Sequence, residues 1–433
     1  MNTVDLIIKK RNGNVLSQEE IEFLVNGYTN GTIPDYQMSA FLMAVYFKGM
    51  NHDETVALTK IMRDSGDVVN LGNIDGIKVD KHSTGGVGDK TTLIVAPIAA
   101  ACGVPIAKMS GRGLGFTGGT VDKLESIPGY HTAIEESDFI NQVNETGIAL
   151  IGQTGHIALA DKKIYALRDV TGTVENLSLI TSSIMSKKLA AGSDAIVLDV
   201  KCGTGAFMKK EDDACQLASL MVEIGNASGK RTMAVITDMN QPLGNAVGNT
   251  LEVIEAIETL KGKGPDDITR LSVKLSALMI YAGGKAETIE EGQVMAEDAI
   301  NSGHALDKLR QLIAAQKGNP QVIDDYSLMP STNNCYKVIA STDGYISSID
   351  AMKIGVASQH TGAGRATKED VIDLGAGIYL CKKTGDHVSS GDTIAIIHTD
   401  KENYREIISE VEAAVSICDK SVVPPELIKR YFI

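Results

Sequence analysis

Apolar residues recur at helical spacing through the first 65 residues of the chain. The run Ser17-Gln-Glu-Glu20 forms a capping box directly before an apolar stripe. Pro34 stands where the first turn of a second helix tolerates proline, and a further helix is predicted from about Asn51. The pattern therefore predicts a packed group of helices at the start of the chain.

After this segment the apolar runs become short and rich in β-branched residues. The predicted buried strands are residues 77–80, 105–109, 148–152, 195–201 and 233–237. Helical patterns separate most of them, notably at residues 93–102, 209–228 and 251–260. Such alternation predicts a mostly parallel sheet covered by helices, with ligands bound beyond the carboxyl ends of its strands.

Two further segments depart from this alternation. Residues 157–189 are helical in pattern, and from Tyr336 onward glycines punctuate shorter strands. Residues 384–394 resemble the hairpin turns of a lipoyl-like β-sandwich. The predicted fold class is therefore α/β, with a small helical domain, a larger mostly parallel α/β domain and a C-terminal α+β portion.

Composition narrows the class of protein. A chain of 433 residues divides into two or three domains, and 43% hydrophobic with 4% aromatic residues is typical of an α/β enzyme. The net charge of −14 disfavours nucleic acid as a partner. The cysteines show no paired spacing, and no apolar run reaches the roughly 20 residues of a membrane span. We expect a cytoplasmic protein that does not bind membranes.

The most informative chemistry lies between Val79 and Glu125. Two short strands there each break into a glycine-rich turn that opens a helix, which leaves backbone N–H groups unpaired. Ammonium and hydroxyl donors surround both turns: Lys81, Ser83, Lys108, Ser110 and Thr120. Charge combined with many short hydrogen bonds is what a phosphate requires, so the two turns predict a phosphate site.

Two nucleotide-binding motifs compete with this interpretation. Gly113-x-Gly115-x-x-Gly118 satisfies the dinucleotide pattern, but a lone match is weak and its surroundings are more polar than that turn needs. Residues 85–91 resemble a Walker A loop, yet Asp89 stands where the glycine before the lysine is required. Glycines that only form tight turns are the simpler alternative, and two such turns with lysines and hydroxyls favour phosphate.

Several runs resemble the thymidine and pyrimidine-nucleoside phosphorylases. The signature-like run is SGRGLGFTGGTVDKLE at residues 110–125, and KHSTGGVGD at residues 81–89 is similar to that family's first phosphate loop. The resemblance continues through YALRDV (165–170), SSIMSKK (182–188), DVKCGTGA (199–206), MNQPL (239–243) and HTGAGR (360–365). It covers nearly the whole chain in order.

The resemblance implies a domain arrangement. Residues 1–66 and 157–192 would form a discontinuous helical domain, and residues 67–156 and 193–330 the α/β phosphate-binding domain. Residues 336–433 would form the C-terminal α+β domain. The family resemblance also implies a homodimer formed through the helical domain and a cleft that closes by a hinge motion.

The resemblance further implies roles for individual residues. Arg168, Ser183 and Lys187 would contact the pyrimidine base, and His82, Arg168 and Lys187 would be catalytic. Inorganic phosphate, the co-substrate, would be bound by Lys81, His82, Ser83, Thr92, Lys108, Met109, Ser110 and Thr120. On the sequence alone, Arg168 and Lys187 are equally compatible with solvated charges on amphipathic helices, and His82 with a structural loop histidine.

Some pyrimidine-nucleoside phosphorylases of this type have a structural potassium site, and the resemblance implies its position in this chain. The matching positions are Gly88, residue 90, Leu243, Ala246 and Glu255. Residue 90 is lysine where threonine is expected. A lysine cannot coordinate a cation, so its ammonium is predicted to take the place of the ion and to pair with Glu255.

Two other positions stay open in the sequence. Phe116 replaces an expected histidine, and Arg365 lies in a glycine-framed loop that could reach the cleft. The implied function is reversible, inverting phosphorolysis of uridine, deoxyuridine and thymidine to the base and a pentose 1-phosphate. The alternatives are a phosphoribosyltransferase of the anthranilate type, for which Asp122 and Glu125 make a poor magnesium pair, and a non-catalytic nucleoside-binding protein.

Overall fold

The computed structural model describes residues 1–113, 115–153, 155–365, 367 and 370–433. Its helices are α1 Thr3–Arg11, α2 Gln18–Thr29, α3 Asp35–Lys48, α4 His52–Arg63, α5 Thr91–Ala101, α6 Thr120–Glu125, α7 Glu136–Thr146, α8 Leu159–Thr171, α9 Leu177–Ala190, α10 Glu211–Ala227, α11 Asn249–Leu260, α12 Asp266–Ala282, α13 Ile289–Asn301, α14 His304–Ala315, α15 Ala351–Ser358 and α16 Tyr404–Ala414. Its strands are β1 Val79–Ser83, β2 Ile106–Ser110, β3 Ile148–Gly152, β4 Ala195–Cys202, β5 Arg231–Asp238, β6 Ala246–Val247, β7 Cys335–Ile339, β8 Gly344–Ile349, β9 Gly377–Leu380, β10 His387–Val388, β11 Thr393–His398, β12 Val415–Cys418 and β13 Ile428–Phe432.

The first helices pack together with the later helix α8 and the start of α9. Capping boxes begin α2 at Ser17 and α4 at Asn51, whereas Pro34 is the residue before α3. Buried side chains of α8, such as Ile164 and Leu167, join the core formed by α1 to α4. The helical segment after residue 157 thus returns to the N-terminal helices, where α8 buries its apolar face.

The α/β part contains a sheet with strand order β1-β4-β5-β13. β1 pairs with β4 and β4 with β5 in parallel, and β2 and β3 form a separate parallel pair. β4 is buried along its whole length, as expected for a strand covered on both faces. The prediction of a mostly parallel sheet is confirmed, and both glycine-rich turns follow the carboxyl ends of β1 and β2.

The C-terminal part is built from antiparallel strands around α15 and α16. Its sheets have the orders β6-β9-β11-β7 and β10-β8-β12. Residues 384–394 belong to the connection between β9 and β11, which pair antiparallel, and the short β10 within it pairs with β8. The segment is therefore not a self-contained hairpin, since its strands lie in two different sheets.

The last strand returns to the α/β sheet. β13 pairs antiparallel with β5, with Tyr431 opposite Val235. The sequence analysis did not identify this strand, because an edge strand with a charged, largely exposed face lacks a continuous apolar run. Of the helices described, none combines the length and the hydrophobicity needed to cross a membrane.

Candidate active site

A cleft of about 930 Å³ lies between the helical part and the α/β part. The loops after β1 and β2 form one wall, and residues of α8 and α9 form the other. The predicted site residues that line the cleft are Lys81, His82, Ser83, Thr92, Lys108, Met109, Ser110, Thr120 and Lys187. Arg168 and Ser183 are not part of the lining.

Lys81 is a buried ammonium at the end of β1, between two carboxylates. Its Nζ donates to the Thr91 hydroxyl and lies 3.8 Å from Asp89 and 3.7 Å from Asp199. Burial opposes ionisation of Asp89, but Lys81 and then Lys201 hold its pKa well below the usual carboxyl range. Thr91, Asp89 and Asp199 therefore fix the position of the Lys81 side chain in the floor of the cleft.

A second buried charge cluster joins β1, β2 and α9 at the wall of the cleft. The Asp80 carboxylate accepts from Lys108 Nζ at 3.0 Å and from Lys188 Nζ at 2.8 Å. Burial opposes ionisation of Asp80, yet Lys108 and Lys188 lower its pKa. Burial also lowers the pKa of Lys108 to about 8, against the raising effect of Asp80. Asp80 thus fixes one ammonium from β2 and one from α9 at the same place.

His82 faces the cleft as a neutral imidazole. Burial, followed by the neighbouring ammonium groups of Lys188 and Lys108, lowers its pKa well below the ordinary histidine value. A neutral ring still carries one N–H, which can donate a hydrogen bond to a carbonyl oxygen. The environment therefore suits a hydrogen-bond donor at this position and disfavours an imidazolium.

The last residue of β2, Ser110, presents an unpaired hydroxyl to the cleft. Ser110 Oγ is buried and has no hydrogen-bond partner among the described residues. Lys108 and Met109, also on β2, line the cleft beside it, and Thr92 and Thr120 line it from the first turns of α5 and α6. A buried hydroxyl without a partner is costly unless a ligand satisfies it, so Ser110 indicates a binding position.

The helical wall places Lys187 next to a buried carboxylate. Its Nζ donates to Asp161 Oδ2 at 2.5 Å and to Ser183 Oγ at 3.0 Å. The Tyr165 ring lies 5.9 Å from the same ammonium. Asp161 Oδ1 is buried without a hydrogen-bond partner among the residues that the structure describes. Ser183 therefore accepts a hydrogen bond from Lys187 without lining the cleft, whereas Lys187 lines it.

Arg168 is directed away from the cleft lining. The guanidinium donates to the carbonyl oxygens of Thr173 at 3.2 Å, Val174 at 2.6 Å and Leu179 at 3.0 Å. Burial lowers the pKa of Arg168 to about 10, with Asp161 opposing this effect. In this conformation Arg168 holds the connection between α8 and α9, and its predicted contact with a base stays a prediction.

Comparisons with known proteins bear on this geometry. Family models match residues 4–66 as "Glycosyl transferase family, helical bundle domain", 75–306 as "Glycosyl transferase family, a/b domain" and 345–418 as "Pyrimidine nucleoside phosphorylase C-terminal domain". A pyrimidine-nucleoside phosphorylase of Staphylococcus haemolyticus is 54% identical over 98% of both chains. One from Geobacillus stearothermophilus is 53% identical over 99% of both chains. This chain belongs to the pyrimidine-nucleoside phosphorylase family.

A solved structure agrees on the fold. The anthranilate phosphoribosyltransferase of Thermus thermophilus matches with a TM-score of 0.59, over 73% of this chain and 100% of that one. At 20% identity this likeness concerns the architecture alone. The family predicted from the sequence is confirmed by the phosphorylase relatives. The predicted fold class is confirmed by the helical and α/β parts.

The position of the potassium site implied by the phosphorylase family contains an ammonium group. Lys90 Nζ donates to the carbonyl oxygens of Leu243 at 3.0 Å and Ala246 at 2.8 Å, and it pairs with Glu255. The Lys90 side chain is fully buried. The carbonyl and carboxylate oxygens that would coordinate a potassium ion already accept hydrogen bonds from the Lys90 ammonium. These residues therefore do not fit a potassium ion.

Acidic residues behind the second glycine-rich loop are paired with arginines. Asp122 accepts from Arg112 at 3.2 Å and from Arg365 at 2.9 Å. Glu125 accepts from Arg112 at 2.6 and 2.7 Å. Searching the described residues for three or more histidine, cysteine or acidic side chains placed to hold a metal ion finds none.

Sequence reasoning missed several charged residues of this site. Asp80, Lys188 and Asp161 each contact a predicted site lysine or adjoin one in the sequence. A signal was present, because Asp80 precedes Lys81 and Lys188 follows Lys187. Adjacent charged residues point in different directions on a strand or helix, so only the packing of the elements reveals their partners.

Proposed function

We propose that this chain catalyses the reversible phosphorolysis of uridine, deoxyuridine and thymidine to the free pyrimidine and ribose or deoxyribose 1-phosphate. The observation that supports it is one cleft with Lys81, Lys108 and Ser110 on the α/β wall and Lys187 on the helical wall. Phosphate and base would bind on opposite sides with the pentose between them. The 53 to 54% identity to pyrimidine-nucleoside phosphorylases over almost the whole chain supports the same reaction.

The α/β wall would hold phosphate as the nucleophile. Lys81 and Lys108 provide charge, and Ser110 provides a buried hydroxyl that needs a partner. Phosphate held this way would attack C1′ of the pentose on the face opposite the base, which inverts the configuration. Positioning and electrostatics supply the catalysis, and no nucleophile from the protein is needed.

The helical wall would stabilise the departing base. Cleavage of the bond to the base leaves negative charge on the pyrimidine, and the Lys187 ammonium would neutralise it. We also propose that His82 donates to the base O2 and that Arg168 contacts the base after a change of side-chain conformation. A closing motion of the two walls would bring both half-sites together.

Hydrolysis is a weaker alternative. It needs a carboxylate free to activate water, but the buried carboxylates Asp80, Asp161 and Asp199 each lie next to a lysine. A phosphoribosyltransferase needs carboxylates for magnesium, and Asp122 and Glu125 are occupied by arginines. Both observations favour phosphorolysis.

Turnover with and without phosphate tests the proposed reaction. Uridine and thymidine are incubated with the enzyme in phosphate-free buffer and after addition of inorganic phosphate, and the free base is measured by chromatography. We expect base release only with phosphate, with one equivalent of pentose 1-phosphate per base. Equal release in both buffers contradicts phosphorolysis, and nucleoside binding without cleavage in either buffer supports the non-catalytic alternative.

We also propose that Lys90 replaces the structural potassium ion of related enzymes. Lys90 has three oxygen partners at this place. The adjoining loop also contacts the partly buried Lys383, whose Nζ donates to the Gly244 carbonyl oxygen at 2.7 Å. Two ammonium groups already compensate the loop carbonyls and the Glu255 carboxylate. A further cation at this place would be repelled rather than bound.

Melting experiments in different salts test this replacement. We expect the same melting temperature in potassium chloride and in choline chloride at equal ionic strength. Lys90→Thr leaves Glu255 unpaired, so it should lose about 3 to 5 kcal/mol of unfolding free energy and regain part of it in potassium but not choline. Lys90→Met, without an oxygen ligand, is the control that should not respond. Potassium-dependent melting of the unsubstituted enzyme contradicts the replacement.

We also propose that the protein is a homodimer and that it is located in the cytoplasm. Exposed apolar side chains on the packed helices α1 and α3 support association through the helical domain. Tyr36 and Phe47 on α3 are 74% and 75% exposed, and Val4 and Ile8 on α1 are also exposed. Light scattering should give twice the chain mass of 46.0 kDa. A monomer at micromolar concentration contradicts the dimer.

A further inference from the structure

The second phosphate loop, residues 110–120 with residue 114 not described, is in contact with the C-terminal part of the chain. A methyl group at Gly355 on α15 would lie 2.7 Å from the Phe116 carbonyl oxygen, and one at Gly364 would lie 3.4 Å from that of Gly115. The loop also folds tightly on itself, since a side chain at Gly119 would meet the Gly113 nitrogen at 2.0 Å. Its conformation therefore depends on packing from another part of the molecule.

Asp122 connects this loop to the C-terminal part. Its carboxylate accepts the Gly113 N–H at 2.7 Å, and the same side chain accepts from Arg112 and from Arg365. Asp122 is 2% exposed, whereas the Arg112 side chain is 52% exposed and that of Arg365 is 19% exposed. Arg365 is thus the better-buried of the two guanidinium groups that compensate this carboxylate.

The backbone around Arg365 is anchored. Asn249 Nδ2 donates to the Ala363 carbonyl oxygen at 2.9 Å, and Gln359 Nε2 donates to the carbonyl oxygen of Arg365 at 2.7 Å. The preceding residues Gln359–Ala363 form a wide helical turn that is kinked at Gly362, where φ is 109°. The guanidinium is therefore presented to Asp122 from a fixed position, at little further entropic cost.

The charge of Asp122 matters because the loop it supports faces an anion site. An uncompensated buried carboxylate behind the loop would repel phosphate, and the repulsion is strong where water is excluded. Arg365, together with the more exposed Arg112, compensates that charge at one carboxylate oxygen and leaves the other oxygen available to accept the Gly113 N–H. One side chain thus affects both the electrostatics and the conformation of the loop.

We propose that Arg365 is a positioning residue through which the C-terminal part sets the affinity of the second loop for phosphate. It acts through Asp122 and does not touch the reacting atoms. The inference rests on the proposed function only in that phosphate is the anion bound by this loop. It predicts a defect confined to phosphate, with the nucleoside side of the cleft unchanged.

Arg365→Gln tests this assignment. The dissociation constant of inorganic phosphate is measured by calorimetry without nucleoside, and the KM values of phosphate and uridine are measured separately. We expect phosphate to bind about tenfold more weakly, with a parallel rise in its KM and less than a twofold change in the KM of uridine. Arg365→Lys should restore part of the affinity. Arg405→Gln, an exposed arginine on α16 of the same part, is the matched control and should bind phosphate normally.

A double variant separates positioning from folding. Asparagine at residue 122 can still accept the Gly113 N–H but carries no charge, so Asp122→Asn with Arg365→Gln should bind phosphate more tightly than Arg365→Gln alone. Circular dichroism and melting temperatures verify that each variant is folded. The inference is overturned if Arg365→Gln binds phosphate like Arg405→Gln, or if the KM values of uridine and phosphate rise together. A chain that binds phosphate with this pattern but does not cleave uridine contradicts only the proposed reaction.

Discussion

Replacing Asp80 with asparagine is expected to lower the free energy of unfolding by about 3 to 5 kcal/mol and to impair phosphate binding. Asp80 is 1% exposed and compensates both Lys108 and Lys188. Without it two ammonium groups remain buried side by side. Burial already lowers the pKa of Lys108 to about 8, and loss of the raising effect of Asp80 would lower it further. Less of the Lys108 ammonium, the proposed phosphate ligand, would then be present at neutral pH.

Melting curves recorded at one scan rate measure this effect, since a multidomain chain gives no single equilibrium unfolding constant. We expect the midpoint of Asp80→Asn to fall by about 5 °C or more. Asp194→Asn is the matched control: Asp194 pairs with Lys78 at 2.8 Å, but its side chain is 40% exposed, so the loss should stay below about 1 kcal/mol. Adding Lys188→Met to Asp80→Asn should recover part of the stability. Equal midpoints for Asp80→Asn and the control contradict the role given to this cluster.

Local sequence patterns predicted the α/β wall of the site well. Each turn there follows a strand directly, so Lys81, Lys108 and Ser110 are positioned by a few residues of backbone near the carboxyl ends of β1 and β2. A strand that ends in a glycine-rich turn has few alternative conformations. The predicted phosphate residues therefore line one cleft, while their individual roles remain predictions.

The helical wall was predicted less completely, because its geometry depends on helix rotation and packing. Ser183 and Lys187 share a face as their spacing indicates, but only Lys187 reaches the cleft. The sequence does not reveal that Arg168 donates to three carbonyl oxygens of the α8–α9 connection and the first turn of α9. It also does not reveal that Asp161 accepts a hydrogen bond from Lys187. These contacts join residues through tertiary packing, which periodicity does not encode.

The partners of Lys90, which stands where the potassium site of related enzymes has threonine, were predictable for a different reason. A lysine in place of a neutral ligand changes charge and length at once, and a buried ammonium must find oxygen partners. The carbonyls of Leu243 and Ala246 and the Glu255 carboxylate are those partners. The identity of one residue was sufficient for this prediction, because only oxygen acceptors can compensate a buried ammonium. The prediction did not depend on the exact packing of the helices and strands.

Lys187→Met is expected to reduce kcat/KM for uridine by about 10² to 10³, the effect of removing one donor that stabilises developing negative charge. The Lys187 ammonium is the group on the helical wall that is best placed to neutralise the departing pyrimidine, since it lines the cleft and is held by Asp161 and Ser183. Phosphate affinity should change little, because the proposed phosphate site lies on the other wall. The measurement is steady-state kinetics with each substrate varied in turn.

Varying the leaving group distinguishes stabilisation of the departing base by Lys187 from a purely structural role of this residue. An electron-withdrawing fluorine at C5 makes the pyrimidine a more stable anion, so 5-fluorouridine should lose less activity than uridine when Lys187 is replaced. Lys163→Met is the control, because Lys163 is an exposed lysine on α8 whose Nζ donates to the Thr29 carbonyl oxygen at 2.6 Å. Since Lys187→Met leaves Asp161 buried and unpaired, the double variant with Asp161→Asn separates any loss of stability from the loss of catalysis. An equal loss for both nucleosides, or a loss cured by Asp161→Asn, contradicts direct stabilisation of the base by Lys187.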